Sequence, residues 1–526
     1  VCDFETEEIP SLVNNNPFKE LVNIVLSKRE LDNFWTRFAH LCSTRNFVPG
    51  GKRTEIRSLN QFKETVSSPW EGKIPKGFEK SIRQILGKMV QGYKPTSLLG
   101  AHCSFSLSAS YDSTQKLGGK AYDMIVDMKR ILNEVPDKCE PLWLGKRSVI
   151  FMPGIPRYLS FSEGLKEPGG FMNKSKYTVM LRVATELPLR DLTIGLGPDT
   201  GDMVFYCAKR CYEEHRRTGS LIKIRVSCPP EPGGKCRTVT CGPWWLTVLQ
   251  QPFAHIMSEF LAGHPSAYSV SKRADQAWES LKILSRYKSE TLQDEDYVLS
   301  SDLSEATDRI PLELAKLLLQ TAIAYLGIQD YDYIIDMVSP RQIKMPDGTT
   351  FTSKRGIMMG EPISKPILIL YMLCIEEFAF SKFYNLKLAR LYDKRPRILH
   401  IGGDDHIAIG NKKYLRYFTT SLRYFGSKIS PTKHCLSRTA VFYTEKLLVF
   451  KNRIINIPIR DVNSRINDSI FIDSIKVRLL APFSKVEDSR SDKNIAIGKA
   501  RSLFRSLEWF GIPELKNRAF ERFYCR

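Results

Sequence analysis

Apolar positions along the chain change period several times, and each change marks an element. Over 121–135 and 202–217 they recur at helical spacing, and the second stretch ends in basic residues. Val298-Leu299 reads as a strand leading into Asp302. Leu314, Leu317, Leu318 and Ala322 predict a strong helix from about 311 to 326, with Pro311 suited to its first position. Extended runs then flank Asp347-Gly348, a turn pair that predicts a hairpin over 343–351. A loop bounded by Gly356 and Gly360 feeds an apolar helix over about 362–380. A second hairpin is expected where Ile398–Ile401 and Ile407–Ile409 flank Gly402-Gly403-Asp404-Asp405. Residues 412–425 read as a helix, strands follow near 441–450 and 453–459, and the remainder reads as helical and basic. Pro and Gly together mark loops at Pro153–Pro156 and Pro229–Gly234. Strands interleaved with helices, joined partly by hairpins, predict an α+β fold with an antiparallel sheet packed on helices.

Composition narrows the class. With 526 residues, 42% hydrophobic and 26% charged, the chain is too apolar to be disordered and long enough for roughly three or four modules. The longest apolar stretch, Ile367 to Ile375, is far short of the ~20 residues a membrane helix needs. No signal peptide is visible at Val1-Cys2-Asp3, which points to the cytoplasm, and the missing initiator Met suggests that residues precede it. The 12 Cys contain no CxxC pair and read as reduced, mostly buried thiols. Cys207, Cys211 and His215 share a helical face that a metal could use, but no fourth ligand sits at a standard zinc spacing. The net charge of +21, spread along the chain, predicts a polyanionic partner in a folded channel, either nucleic acid or an anionic surface.

Four motifs carry candidate chemistry, and each also has a bland reading. Asp404-Asp405 at a hairpin tip need neutralising, which a divalent cation does well; alone, the pair could equally be a solvated turn. Asp302-x5-Asp308 adds a carboxylate on a neighbouring strand, so that two metals ~3.5–4 Å apart become conceivable. Asp308 could instead sit at the N-terminus of the helix after Pro311. Gly356-x3-Gly360-x3-Ser364-Lys365 permits close backbone approach to a ligand, or is simply the loop that starts a helix. Lys235 and Arg237 would share one side of a strand and suit a triphosphate, with Lys223 and Arg225 as weaker candidates; a solvated basic face is the alternative.

The order of these motifs resembles that of viral RNA-dependent RNA polymerases, most of all the narnavirus and ourmiavirus-like (botourmiavirus) group. The resemblance rests on Glu231-Pro-Gly-Gly-Lys-Cys-Arg237, Ser301-Asp-Leu-Ser-Glu-Ala-Thr-Asp308, Gly356-Ile-Met-Met-Gly-Glu-Pro-Ile-Ser364 and Gly403-Asp-Asp-His406, within about 220–450. It implies a right-hand architecture: an N-terminal extension and fingers over 1–240, palm over 241–328 and 356–458, a fingers insertion over 329–355, and a thumb over 459–526. That thumb is short, so either the chain is a fragment or a second viral protein completes it.

By resemblance, Asp302, Asp404 and Asp405 would hold two Mg²⁺ or Mn²⁺ ions. Lys235, Arg237 and Arg225 would bind the nucleoside triphosphate, and Asp308 would sense the ribose 2′-hydroxyl, with Ser364 beside it. Gly356, Gly360 and Lys365 would lie along template and product RNA. Lys433 matches a lysine proposed to protonate pyrophosphate, with Lys428 as competitor. The partners implied are RNA template and product, nucleoside triphosphates and a viral genomic RNA. The loop departs from the commoner Ser-Gly-x3-Thr-x3-Asn pattern, reading Arg355-Gly356-x3-Gly360-x3-Ser364. A reverse transcriptase is disfavoured, because Gly403 and Asp308 stand where those enzymes usually carry aromatic residues. A polymerase-derived, non-enzymatic RNA-binding protein is disfavoured by the intact aspartates and Lys235.

Overall fold

The computed structural model describes residues 50–93, 108–133, 198–268 without 232 and 233, 271, 296–384, 398–450 without 438, 439 and 445, and 469–473. The loop at 153–156, the strand at 453–459 and nearly all of the expected thumb lie outside the described residues, as does the question of what completes that thumb.

In chain order the elements begin with helices α1 (Lys52–Ser67), α2 (Phe78–Gly92), α3 (Gly119–Asn133) and α4 (Pro198–Arg217). Strands β1 (Ile222–Ser227), β2 (Pro230–Glu231), β3 (Lys235–Cys236) and β4 (Val239–Cys241) lead to α5 (Trp244–Ala262) and β5 (Asp296–Ser304). Then come α6 (Leu312–Leu326), α7 (Tyr333–Met337), β6 (Arg341–Lys344), β7 (Thr350–Thr352) and α8 (Ser364–Phe383). The hairpin β8 (Ile398–Ile401) and β9 (Asp405–Asn411) precedes α9 (Lys412–Tyr424), β10 (Lys428–Ile429) and β11 (Cys435–Ser437). Strands β12 (Ala440–Tyr443), β13 (Lys446–Phe450) and β14 (Ser469–Asp473) close the series.

One sheet has the order β10-β5-β9-β8, with β11 also on the edge of β5, and every pairing in it is antiparallel. A second sheet, β4-β1-β6-β7, contains one parallel pair, β1 with β6, so the expectation of antiparallel pairing holds for the first sheet and not throughout. The connection from β1 to β6 is long and passes through helices, which is what a parallel pair requires.

Helix α8 explains the position of the core. It is buried on nearly every side from Ser364 to Phe380, as a helix apolar all round must be. The helix α2 meets the same core with Phe78, Ile82, Ile85, Leu86 and Met89, a stripe at helical spacing. A smaller core joins α1 to the second sheet through Phe62, Val66, Ile224, Val226, Ile343, Met345 and Met358. Pro311 precedes α6 as its cap instead of opening it; its φ of −63° is already helical while its ψ of 136° is extended. No helix among the described residues is long and apolar enough to cross a membrane.

Candidate metal centre

Strands β5 and β9 run antiparallel in a register that sets Asp302 opposite Asp405. Directly opposed residues share a face, so two carboxylates from distant parts of the chain become neighbours. Asp404 comes from the hairpin tip between β8 and β9. There Gly403 takes φ +104°, a conformation an L side chain resists, and the Gly402 N–H donates to the Asp405 carbonyl at 2.7 Å. The Asp404 carbonyl accepts from the Leu303 N–H, which ties the tip back to β5. One oxygen from each of Asp302, Asp404 and Asp405 lies within 4.8 Å of the others. Beneath the tip, His406 is buried against Phe418, and burial pulls its pKa down to about 4.

The trio carries more negative charge than its surroundings neutralise. Burial, then the charge of Asp302, pushes the Asp405 carboxyl up to about 7, and the same two causes raise Asp404. One cation answers them. Lys433 lies between β10 and β11, both bound to the edge of β5, and the Ser430 N–H donates to the Asp302 carbonyl. This return brings Lys433 Nζ to 3.0 Å from Asp302 Oδ2 and 4.0 Å from Asp405 Oδ1. Burial works to lower the Lys433 pKa, but Asp302 and Asp405 together leave it raised. Lys428, its competitor in the sequence, pairs with Ser304 further along β5 and lines a cavity instead.

Asp302 Oδ1 is buried with no hydrogen-bond partner among the described residues. An orphaned buried carboxylate oxygen is costly, and a cation there would satisfy it. Three hard oxygen donors at this spacing fit a divalent metal ion. It is the only such group of His, Cys, Asp and Glu side chains among the described residues, so Cys207, Cys211 and His215 do not form a second one. Both thiols are buried, which raises their pKa, and His215 packs on Trp245.

Asp308 sits six residues on, in the turn after β5, and is buried. Burial, then the charge of Glu305, pushes its carboxyl up to about 7. It does not cap α6, which has no side-chain cap. Gly356 backs onto it: at φ +101°, a Cβ on Gly356 would come 2.9 Å from the Asp308 carbonyl oxygen. A Cβ on Gly360, at φ +110°, would come 2.6 Å from the Thr240 carbonyl oxygen. The close approach that these glycines permit is therefore to the chain's own backbone. Ser364 opens α8, and its buried hydroxyl donates to the Met358 carbonyl at 2.6 Å, closing the loop on itself.

The basic candidates are spread wider. Lys235 and Arg237 are exposed on the β2–β3 ribbon, where the Arg237 guanidinium pairs with Glu231 at 2.8 Å. Arg225 donates to the Ser110 and Ser113 carbonyls and so anchors the loop that precedes α3. Lys223 is exposed on the same face of β1, and Lys365 is exposed at the start of α8.

Sequence reasoning missed a cavity of about 740 Å³ whose lining includes Arg53, Arg57, Arg309, Arg355 and Lys428. It also missed the support of the glycine loop. Arg341, buried on β6, makes a two-pronged ion pair with Glu361, which also accepts from Gln250. Glu361, Arg309 and Arg355 lie within or beside the motifs, but their partners come from α1, β6 and α5, and no spacing reports that.

No family model matches the chain. It is similar to the RNA-directed RNA polymerase of Saccharomyces 23S RNA narnavirus, 26% identical over 260 residues, which is 47% of this chain and 26% of that protein. It is also similar to the RNA-directed RNA polymerase of Saccharomyces 20S RNA narnavirus, 31% identical over 158 residues, 30% of this chain and 19% of the other. The matched stretches thus span about a quarter and a fifth of the relatives' lengths. The chain resembles narnavirus polymerases in sequence, as its motif order implied.

Proposed function

We propose that this chain carries the catalytic core of RNA-templated RNA synthesis and replicates a positive-strand viral RNA genome in the host cytoplasm. The observation that carries the reading is the convergence of Asp302, Asp404 and Asp405 where the tip of the β8–β9 hairpin meets β5, in a chain similar to two RNA-directed RNA polymerases. In this reading the β10-β5-β9-β8 sheet is the palm, and α1 with the β4-β1-β6-β7 sheet belongs to the fingers.

Asp302, Asp404 and Asp405 would hold two Mg²⁺ or Mn²⁺ ions. Bound there, the ions would supply charge stabilisation for an in-line attack of the RNA 3′-hydroxyl on the α-phosphate of a nucleoside triphosphate. The protein's own part is positioning and electrostatics. Asp308, where the turn meets the glycine loop, would accept a hydrogen bond from the ribose 2′-hydroxyl, which only RNA precursors carry. Ser364 would support this by keeping the glycine loop closed. Lys433 Nζ, kept charged by the carboxylates, would give a proton to the departing pyrophosphate. Arg53, Arg57, Arg309, Arg355 and Lys428 would line an approach for phosphates, and Lys235 and Arg237, on the ribbon whose Cys236 carbonyl meets Ser58 of α1, would bind the triphosphate.

The test is primer extension on an RNA template with Mg²⁺. Asp404→Asn is expected to abolish incorporation while RNA affinity stays within about twofold. Normal elongation by that variant would refute the assignment.

A further inference from the structure

Glu305 stands midway between Asp302 and Asp308, in a conformation that needs support. Its φ of +53° lies in the left-handed region, which a glutamate rarely adopts. Its carboxylate is held from several directions. Thr65 Oγ1 donates to it at 2.6 Å, Gln61 Nε2 also donates, and Arg309 closes the third side at 2.8 Å. Gln61 and Thr65 both belong to the last turns of α1, more than two hundred residues earlier in the chain.

The same end of α1 holds the glycine loop. Its final carbonyls have no partners within the helix and are free to accept from elsewhere. The Thr65 carbonyl takes Arg355 Nε at 2.8 Å, and the Val66 carbonyl takes the Lys354 N–H at 2.7 Å. Two backbone bonds complete the connection: the Gly356 N–H donates to the Ile310 carbonyl and the Ile357 N–H to the Thr307 carbonyl. Asp308 lies inside this frame. One helical end therefore grips both segments that border Asp308, without touching the metal-binding carboxylates themselves.

We propose that Gln61 and Thr65 are positioning residues for the nucleotide site, holding the 305–308 turn against the 354–357 loop so that Asp308 keeps its place. This rests on the polymerase reading for its consequence, though not for its structural content. Removing the Thr65 hydroxyl leaves Glu305 short of a partner in a conformation it resists. The turn relaxes, the two backbone bonds to the loop loosen, and Asp308 moves.

Two measurements test this on the full chain, using Thr65→Val, Gln61→Leu and the conservative Thr65→Ser. In hydrogen exchange, the amides of 305–310 and 354–357 are expected to exchange at least tenfold faster together in Thr65→Val and Gln61→Leu. Segments of β9 and α8 should stay unchanged, and Thr65→Ser should restore protection. Unchanged exchange in the two segments, or equal acceleration everywhere, would overturn the proposal. In steady-state incorporation, KM for ribonucleotides should rise about tenfold and the preference over deoxynucleotides should fall, both recovered by Thr65→Ser. A drop in kcat alone, with KM and ribose preference intact, would overturn the role in positioning. If Asp404→Asn retains normal synthesis the polymerase reading fails separately, and the exchange result still decides whether the clamp exists.

Discussion

Replacing Asp308 with Asn should make the protein more stable above neutral pH, and the size of the gain can be worked from the burial of this carboxyl. Asp308 has a pKa of about 7 against an ordinary 3.8. The folded chain therefore holds a proton on it, between those two values, that the unfolded chain has released. Stability falls with rising pH wherever the folded state binds more protons. The contribution is fully present below 3.8 and is lost as pH rises through about 7. At about 1.4 kcal/mol per pH unit the whole span is worth about 4 kcal/mol, and the part between pH 5 and 8.5 about 3 kcal/mol. Asn keeps the shape and never ionises. Urea unfolding followed by tryptophan fluorescence, run on both proteins at pH 5 and 8.5, isolates the effect, because titrating groups that do not interact with Asp308 cancel in the difference. At pH 5, already above the ordinary 3.8, the variant should lead by about 1.5 kcal/mol. At pH 8.5 the lead should have grown by about 3 kcal/mol, to about 4 kcal/mol, or roughly 8–16 °C in melting temperature for the transition concerned. A variant equal to or weaker than the parent at pH 8.5 would refute the argument. Under the proposed function, the same variant should also lose preference for ribonucleotides.

Three further outcomes follow from the same geometry. Arg341→Met should cost about 3–5 kcal/mol in urea unfolding, because it strands the Glu361 carboxylate in the interior; the double variant Arg341→Met, Glu361→Leu should recover most of that, and no recovery would mean the pair is not the cause. Gly360→Ala places a Cβ 2.6 Å from the Thr240 carbonyl oxygen at φ +110°, so it should lower stability by at least about 1–2 kcal/mol and disturb the glycine loop, seen as lost protection of 356–360 in hydrogen exchange. Mn²⁺ affinity, followed by electron paramagnetic resonance, should weaken as pH falls below about 7, where Asp405 gains its proton; Lys433→Met should tighten it by no more than about fivefold, since that lysine is half exposed.

The hairpin β8–β9, the helix α8 and the strand carrying Asp302 were all legible from periodicity, because each is an alternation or a run whose spacing survives in any tertiary setting. Boundaries drifted where packing extended an element: α4 begins at Pro198, four residues before the apolar pattern, and β5 continues two residues beyond Asp302 to meet β10. The parallel pair β1–β6 was not legible, since nothing local distinguishes a strand by its partner's direction. Arg225 was a weaker candidate for the triphosphate in the sequence; that its guanidinium donates to the Ser110 and Ser113 carbonyls, more than a hundred residues away, is something no local spacing reports. The glycines were recognised as sites of close approach, but what approaches is Asp308 and Thr240.

The available chemistry is written in the chain: three aspartates in two motifs, a lysine after them, a glycine loop between, and a surplus of 21 positive charges. Those follow from residue identity and local spacing alone. The tertiary structure decided which of these groups meet. The β5–β9 register sets Asp302 against Asp405, the edge strands β10 and β11 select Lys433 over Lys428, and the end of α1 joins Glu305 to the glycine loop. Proximity between residues hundreds apart depends on register and packing, which minimise the free energy of the whole chain, and no window of sequence holds that sum.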